Sequence, residues 1–152
     1  MTDTIAFDST TARLRLPLLF AAQAQKEVFH NEALARIDGL LHAAVLGEAE
    51  EPPQTCEDGD CWLVAPEPGD AWTEQQGCLA MLQAGQWLFA APAEGMRIFD
   101  RSTRQFYVFS GTWQKPTLVE EPSGGMNVDS EARAAIGALI SALRAAGVFP
   151  SS

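Results

Sequence analysis

Leu16-Pro17-Leu18-Leu19-Phe20-Ala21-Ala22-Gln23-Ala24-Gln25-Lys26-Glu27-Val28-Phe29-His30-Asn31-Glu32-Ala33-Leu34 carries three amides, a Lys-Glu pair and a His-Asn-Glu triplet in one segment of helical character. A helix with polar groups on every face is poorly suited to a buried core and better suited to an interface or a bridging element. Gln23, Gln25, Lys26, Glu27, His30, Asn31 and Glu32 are therefore the expected contact residues of an oligomer or particle interface.

The helical pattern runs over residues 21–46. Leu34, Ile37, Leu41 and Val45, joined by Ala33, Leu40 and Ala44, recur at a 3.6-residue period. Asn31 followed by Glu32 has the form of an N-cap with an acidic first turn, so a break into two helices near His30 is expected. Gly47 is the expected stop, and 48–55, with Pro52-Pro53, the linker after it. Upstream, residues 1–16 form an arm ending in Arg13-Leu14-Arg15-Leu16, and Pro17 opens the attachment segment 17–47.

Downstream the period changes to that of strands. Residues 61–65, 78–83, 86–91, 96–99, 104–109 and 112–115 are six candidate strands within a β-domain at 56–116. Ala84-Gly85 and Ser110-Gly111 fit tight hairpin connections, and their surroundings echo each other 26 residues apart, with Trp87 answered by Trp113. A linker at 117–128 contains Pro122-Ser123-Gly124-Gly125. A helix at 129–147 follows, with Asp129 as N-cap and Gly147 as stop, ~27 Å long at 1.5 Å per residue. Ala132, Ile136, Leu139, Leu143 and Ala146 are spaced 4, 3, 4, 3, a heptad row on a helix that needs a surface, either its own domain or symmetry mates. Ile136, Leu139 and Leu143 join the candidate interface on that ground. The expected fold class is α+β: an N-terminal helical segment, a small antiparallel β-sheet or barrel of about six short strands, and a C-terminal helix.

A chain of 152 residues is most simply one domain and buries roughly 68–70% of its unfolded surface, enough for a core without metals or disulfides. A net charge of −10 argues against nucleic acid or an anionic membrane as partner. No Lys or Arg occurs between Arg36 and Arg97, where eleven acidic residues fall. A solvated acidic surface, charge matching between neighbouring copies, or a calcium site in the turn Glu57-Asp58-Gly59-Asp60 would each account for that block, although the turn lacks EF-hand spacing. Cys56, Cys61 and Cys78 form neither a C-x-x-C pair nor a disulfide framework, and reduced thiols in apolar strands are expected. No cofactor or metal is implied. The N-terminus does not read as a signal peptide and no apolar run reaches the ~20 residues of a membrane helix, so cytoplasmic synthesis without membrane insertion is expected.

Catalytic signals are weak. His30 and His42 are the only histidines, and no nucleophile elbow accompanies them. Twenty carboxylates satisfy the demand of a glycosidase for two by abundance alone. The aromatics of the β-zone are more pointed, because tryptophan faces stack on sugars and anchor interfaces. Trp62 and Trp87 are expected in the core, and Trp72, Trp113 and Tyr107 are the candidate glycan contacts, with Trp72 in the loop after Pro68-Gly69-Asp70-Ala71 foremost.

The segment Gln23-Ala24-Gln25-Lys26-Glu27-Val28 with His30-Asn31-Glu32-Ala33-Leu34 resembles the signature of a structural protein family of alphaproteobacterial prophages and gene transfer agents, of unknown biochemical function. Gly59-Asp60-Cys61-Trp62-Leu63-Val64, Ala71-Trp72, Gly77, Trp87 and Gly111-Thr112-Trp113 look like its β-part. Val128-Asp129-Ser130-Glu131-Ala132-Arg133-Ala134-Ala135-Ile136 with Leu143-Arg144 is similar to a short C-terminal helix of phage tail and spike proteins. The resemblance implies a non-enzymatic virion component, a head-spike base or tail-fibre-associated protein that assembles on the exterior of a phage-like particle. The expected partners are further copies in a threefold or fivefold ring that buries the amide-rich helices, together with other virion proteins (capsid, spike fibre or tail) and host capsular polysaccharide. A tail-fibre-associated carbohydrate-binding module and a capsule-degrading glycosidase are the alternatives.

Overall fold

Helix α1 (Lys26–Leu40) is a single uninterrupted helix. Its middle, Ala33-Leu34-Ala35-Arg36, is made of strong helix formers, and Glu27 lies in the first turn, where the helix dipole favours an acid. The expected break at Asn31 does not occur. Nor does the helix reach Gly47, because Arg13 takes over its last carbonyls. The Arg13 guanidinium donates from Nη1 to the carbonyls of Asp38 (2.7 Å) and Gly39 (2.9 Å) and from Nη2 to that of His42 (3.1 Å). His42 then turns the chain with φ +53°. α1 has no basic residue in its own last turn, so an arginine 25 residues upstream supplies the cation that a helix C-terminus favours.

The computed structural model describes residues 10–19, 26–125 and 129–150, and the chain divides into two compact units, Met1–Pro92 and Ala93–Ser152. That division falls inside the β-domain expected at 56–116. In the first unit α1 is followed by β1 (Ala44–Val45), β2 (Glu48–Ala49), β3 (Cys61–Val64), a 3-10 turn at Asp70–Trp72, β4 (Leu79–Gln83) and β5 (Gln86–Ala90). Strands β2 to β5 pair in that order; β3, β4 and β5 are antiparallel neighbours, whereas β2 runs parallel to β3. Residues expected as linker thus supply a strand. Two residues are too short for any periodicity, and the parallel register is fixed by backbone bonds from Leu63 N–H to Gly47 O and Ala65 N–H to Ala49 O.

Cross-strand register sorts the apolar residues of this sheet onto two faces. Trp62, Ala80 and Phe89 are direct partners on one, joined by Val64, and Trp72 packs there, fully buried. Cys61, Met81 and Leu88 are partners on the other, where α1 lies. Both faces are covered, so β4 is buried along four successive residues. Ala84 (φ +50°) and Gly85 (φ +72°) make the expected two-residue hairpin between β4 and β5. Cys61 is buried, and burial pushes its thiol up to about 12; Cys56 and Cys78 are also free, with burial raising both thiols.

The second unit is a meander, β6 (Arg97–Asp100), β7 (Gln105–Ser110) and β8 (Thr112–Gln114), followed by α2 (Ser130–Ala145). All six strands expected from the sequence are present within a residue or two at either end, but the strands are shared between two small sheets, and among the described residues neither closes into a barrel. α2 carries the expected caps. Asp129 accepts from Ala132 N–H at 2.9 Å. At the other end Gly147 (φ +69°) closes the helix, with Val148 N–H on Leu143 O and Gly147 N–H on Arg144 O.

The turn after β6 is held by Asp100, which is buried and accepts from Ser102 N–H (2.8 Å), Ser102 Oγ (2.6 Å) and Thr103 Oγ1 (2.8 Å). Burial raises this carboxyl, but the Ser102 and Thr103 hydrogen bonds outweigh it and hold the group below the ordinary carboxylate range. A depressed folded pKa contributes stability that is full above the unfolded value of about 3.9 and is lost as pH falls through the folded one. The stability gap between the native chain and Asp100→Asn, measured by urea unfolding, is therefore expected to be constant above roughly pH 5 and to shrink progressively below roughly pH 4.

Candidate functional site

α1 is packed the wrong way round for an ordinary surface helix. Its buried residues are Ala35, Asp38 and Gly39. Gly39 is there because the helix lies close on β4: a Cβ at that position would stand 2.0 Å from Met81 Sδ. Asp38 is there to hold the arm. Its carboxylate accepts from Thr11 Oγ1 (2.8 Å), Arg13 N–H (2.8 Å) and Leu14 N–H (2.5 Å). Residues 10–17 fold as a tight loop, with Thr10 bridging Pro17 and Thr11 N–H on Leu16 O.

The polar residues read from the sequence as interface contacts separate into three groups. Gln23 and Gln25 lie outside the described residues. Asn31 is an internal anchor, because its side-chain amide pairs with the backbone of Leu19 in both directions, accepting from the N–H at 2.8 Å and donating to the carbonyl at 3.0 Å. Glu32 pairs with Arg36 at 2.8 Å, and Arg36 continues to the Phe89 carbonyl on β5, also at 2.8 Å. Lys26 and His30 are exposed, and Glu27 is half-buried. The polarity of this helix serves the chain's own arm and sheet more than a partner.

What α1 turns outward is apolar. Phe29 is 77% exposed, Val28 60%, and Ile37 and Leu41 49% each. Phe29, Ala33, Ile37 and Leu41 are spaced by four, so they form one row about 18 Å long with Leu41 just past the helix end. Ile37 and Leu41, read from the sequence as part of a regular helical stripe, thus stand on the outside, and Val45 of the same stripe is a buried strand residue.

α2 repeats the inversion. Its one buried residue is Ile140, flanked at helical spacing by half-buried Arg133, Gly137 and Arg144, while Ile136 is 44% and Leu139 59% exposed. The packed face is one residue out of phase with the heptad row. Residues 117–125 run alongside, antiparallel to the helix: Arg144 Nη2 donates to Val119 O and Arg133 Nη1 to Pro122 O, both at 3.3 Å, and Arg133 Nη2 to Gly124 O. Leu143 is half-buried.

The candidate glycan contacts do not form a surface platform. Trp72 is fully buried, edge-on to Trp87 (centroids 5.2 Å) and Phe89 (6.5 Å). Tyr107 is buried, with Lys115 Nζ donating to its hydroxyl at 2.5 Å and lying 4.5 Å from its ring centroid. Trp113 is half-buried against Phe109 and Tyr107. The acidic turn is likewise engaged: Asp60 Oδ2 accepts from Glu57 N–H at 2.9 Å, and Asp58 Oδ1 from Gly85 N–H at 3.0 Å. Among the described residues no group of His, Cys, Asp and Glu is arranged to hold a metal ion, and no helix is long and apolar enough to cross a membrane.

Residues 30–114, more than half of the chain, match the family described as Protein of unknown function (DUF2793). The chain belongs to that family. The DUF2793 match begins inside α1 and ends at the last residue of β8, so it takes in the outward row from Ala33 to Leu41 and all the strands, and leaves out the arm and α2. No curated protein matches the chain.

Proposed function

We propose that this DUF2793 protein is a structural component of a gene transfer agent or related phage-like particle, a spike-base protein that works by assembling with copies of itself. The observation that supports it is the outward apolar row Phe29, Ala33, Ile37 and Leu41 on a helix whose inner face is polar and small. Exposing Phe29 and Val28 to water while burying Asp38 is a poor arrangement for an isolated chain and a good one for a self-interface, in which each row packs on its symmetry mate. The resemblance of 23–34 to a prophage and gene-transfer-agent signature supplies the biological setting. Several identical weak contacts in a ring would multiply avidity for other virion proteins and for cell-surface polysaccharide.

Phe29→Asp with Ile37→Asp is the test. Both side chains are exposed in the single chain, so the variant should still fold, with helical circular dichroism unchanged. At an interface each anchor is worth about 2 kcal/mol, so losing one weakens association about 30-fold and losing both should give a monomer by light scattering. A wild-type chain that is monomeric at every concentration, or a double variant of unchanged mass, would overturn the proposal. Asn31→Ala is not equivalent, because it releases Leu19 within the chain.

A further inference from the structure

The net charge of the chain belongs entirely to its first unit, where fourteen acidic residues face four basic ones; the second unit has six of each. Within that second unit the basic residues are not evenly spent. A cavity of about 360 Å³ is lined by Phe99, Arg104, Phe106, Arg144 and the helix end Ala145–Gly147, with no acidic residue in its wall. Phe99 and Phe106 meet edge to face at 5.1 Å, and Gly147 lies directly against both rings, where a Cβ would come within 3.3 Å of either. The guanidinium carbon of Arg97 stands 4.7 Å over the Phe106 ring as a third cation.

Neither Arg104 nor Arg144 forms an ion pair with a described residue. The carboxylate of the β6–β7 turn, Asp100, is engaged by Ser102 and Thr103. Among the described residues Arg144 holds a long bond to Val119 O, and its buried Nε has no acceptor. Swinging that guanidinium toward a ligand therefore forfeits little. Arg104 sits at φ +58°, a conformation that glycine adopts more freely than arginine, so a cation at this position carries a backbone cost. The negative end of the α2 dipole is nearby, but the carbonyl of Leu143 accepts from Val148 N–H, that of Arg144 from Gly147 N–H, and that of Gly147 from Phe106 N–H at 2.7 Å. Full guanidinium charges outweigh what is left of it.

We infer that this cavity is a binding site for a small organic anion, a carboxylate carried on a planar apolar body. The planar forks of Arg104 and Arg144 match a carboxylate, and the Phe99 and Phe106 rings match the body behind it. The volume lies at the lower end of the range for small-molecule sites.

The test is an NMR titration of the whole chain with benzoate, with benzamide as its uncharged counterpart and with inorganic phosphate as an anion lacking the ring. Benzoate should shift the Phe106 and Gly147 amides saturably, and benzamide and phosphate should each bind about tenfold more weakly, one lacking the charge-assisted pairs and the other the ring. Arg104→Gly should keep or raise the melting temperature, since glycine relieves the backbone, yet weaken benzoate about tenfold; Arg104→Lys, which keeps charge but loses the fork, should fall between. Absence of a saturable shift, benzamide equal to benzoate, or Arg104→Gly binding as well as wild type overturns the site. Phosphate equal to benzoate overturns the ring-bearing ligand.

Discussion

Asp38→Ala is expected to destabilise the chain by about 3 kcal/mol, a large loss for a single side chain. The carboxylate is 2% exposed and accepts from Thr11 Oγ1 and from the backbone N–H groups of Arg13 and Leu14. Removing it orphans three donors at once, and hydrogen bonds to a charged group are worth about 1.5–3 kcal/mol each, though not additively. The loss should spread, because the same loop positions Arg13 on the last carbonyls of α1. Asp38→Asn keeps the shape and one acceptor oxygen, so it should lie about midway between wild type and alanine. Urea unfolding supplies the free energies, and a drop in helical circular dichroism with the alanine variant would show the helix end fraying with the arm. If Asp38→Ala cost less than the ~1 kcal/mol of an average point substitution, residues 10–17 would not be docked as described.

Strands β3 to β8 and both caps of α2 were legible in the sequence because each is signalled locally, whereas β1 fell in the expected helix and β2 in the expected linker. Alternating apolar residues between 78 and 91 flank Ala84-Gly85, which has little choice but a tight hairpin, and Asp129 and Gly147 mark helix ends by their own conformational preferences. The orientation of the helices was not legible. Apolar periodicity over 33–45 and the heptad row 132–146 both say that a helix has an apolar side, and neither says that this side packs on its own domain. In α1 the inward face was chosen instead by close approach, through Gly39 on Met81, and by Asp38, whose partners lie 24 to 27 residues away. Long-range partners of that kind leave no trace in a local pattern. The one legible hint was the excess of polar groups over 23–32, and it pointed outward when Asn31 in fact points to Leu19.

Trp72 makes the same point from the opposite side. A tryptophan after Pro68-Gly69-Asp70-Ala71 looks like a loop residue free to meet a ligand, yet the 3-10 turn Asp70–Trp72 folds it over Val64 and Ala80 as the largest fully buried side chain among the described residues. Trp72→Ala is accordingly expected to cost about 3–5 kcal/mol, and in a chain of ordinary marginal stability that leaves little folded protein at 37 °C. Trp72→Phe should cost much less than its lost volume implies. The indole Nε1 is buried without a hydrogen-bond acceptor, so phenylalanine removes an unsatisfied donor together with part of the ring, and keeps edge contacts to Trp87 and Phe89. Unfolding free energies of the two variants separate the roles that a tryptophan can have here. A core residue gives a steep loss with alanine and a shallow one with phenylalanine, in step with cavity volume. A glycan-stacking residue gives a stable Trp72→Ala chain that has lost only polysaccharide binding, and that result would contradict the burial on which the placement of the whole 65–78 loop depends.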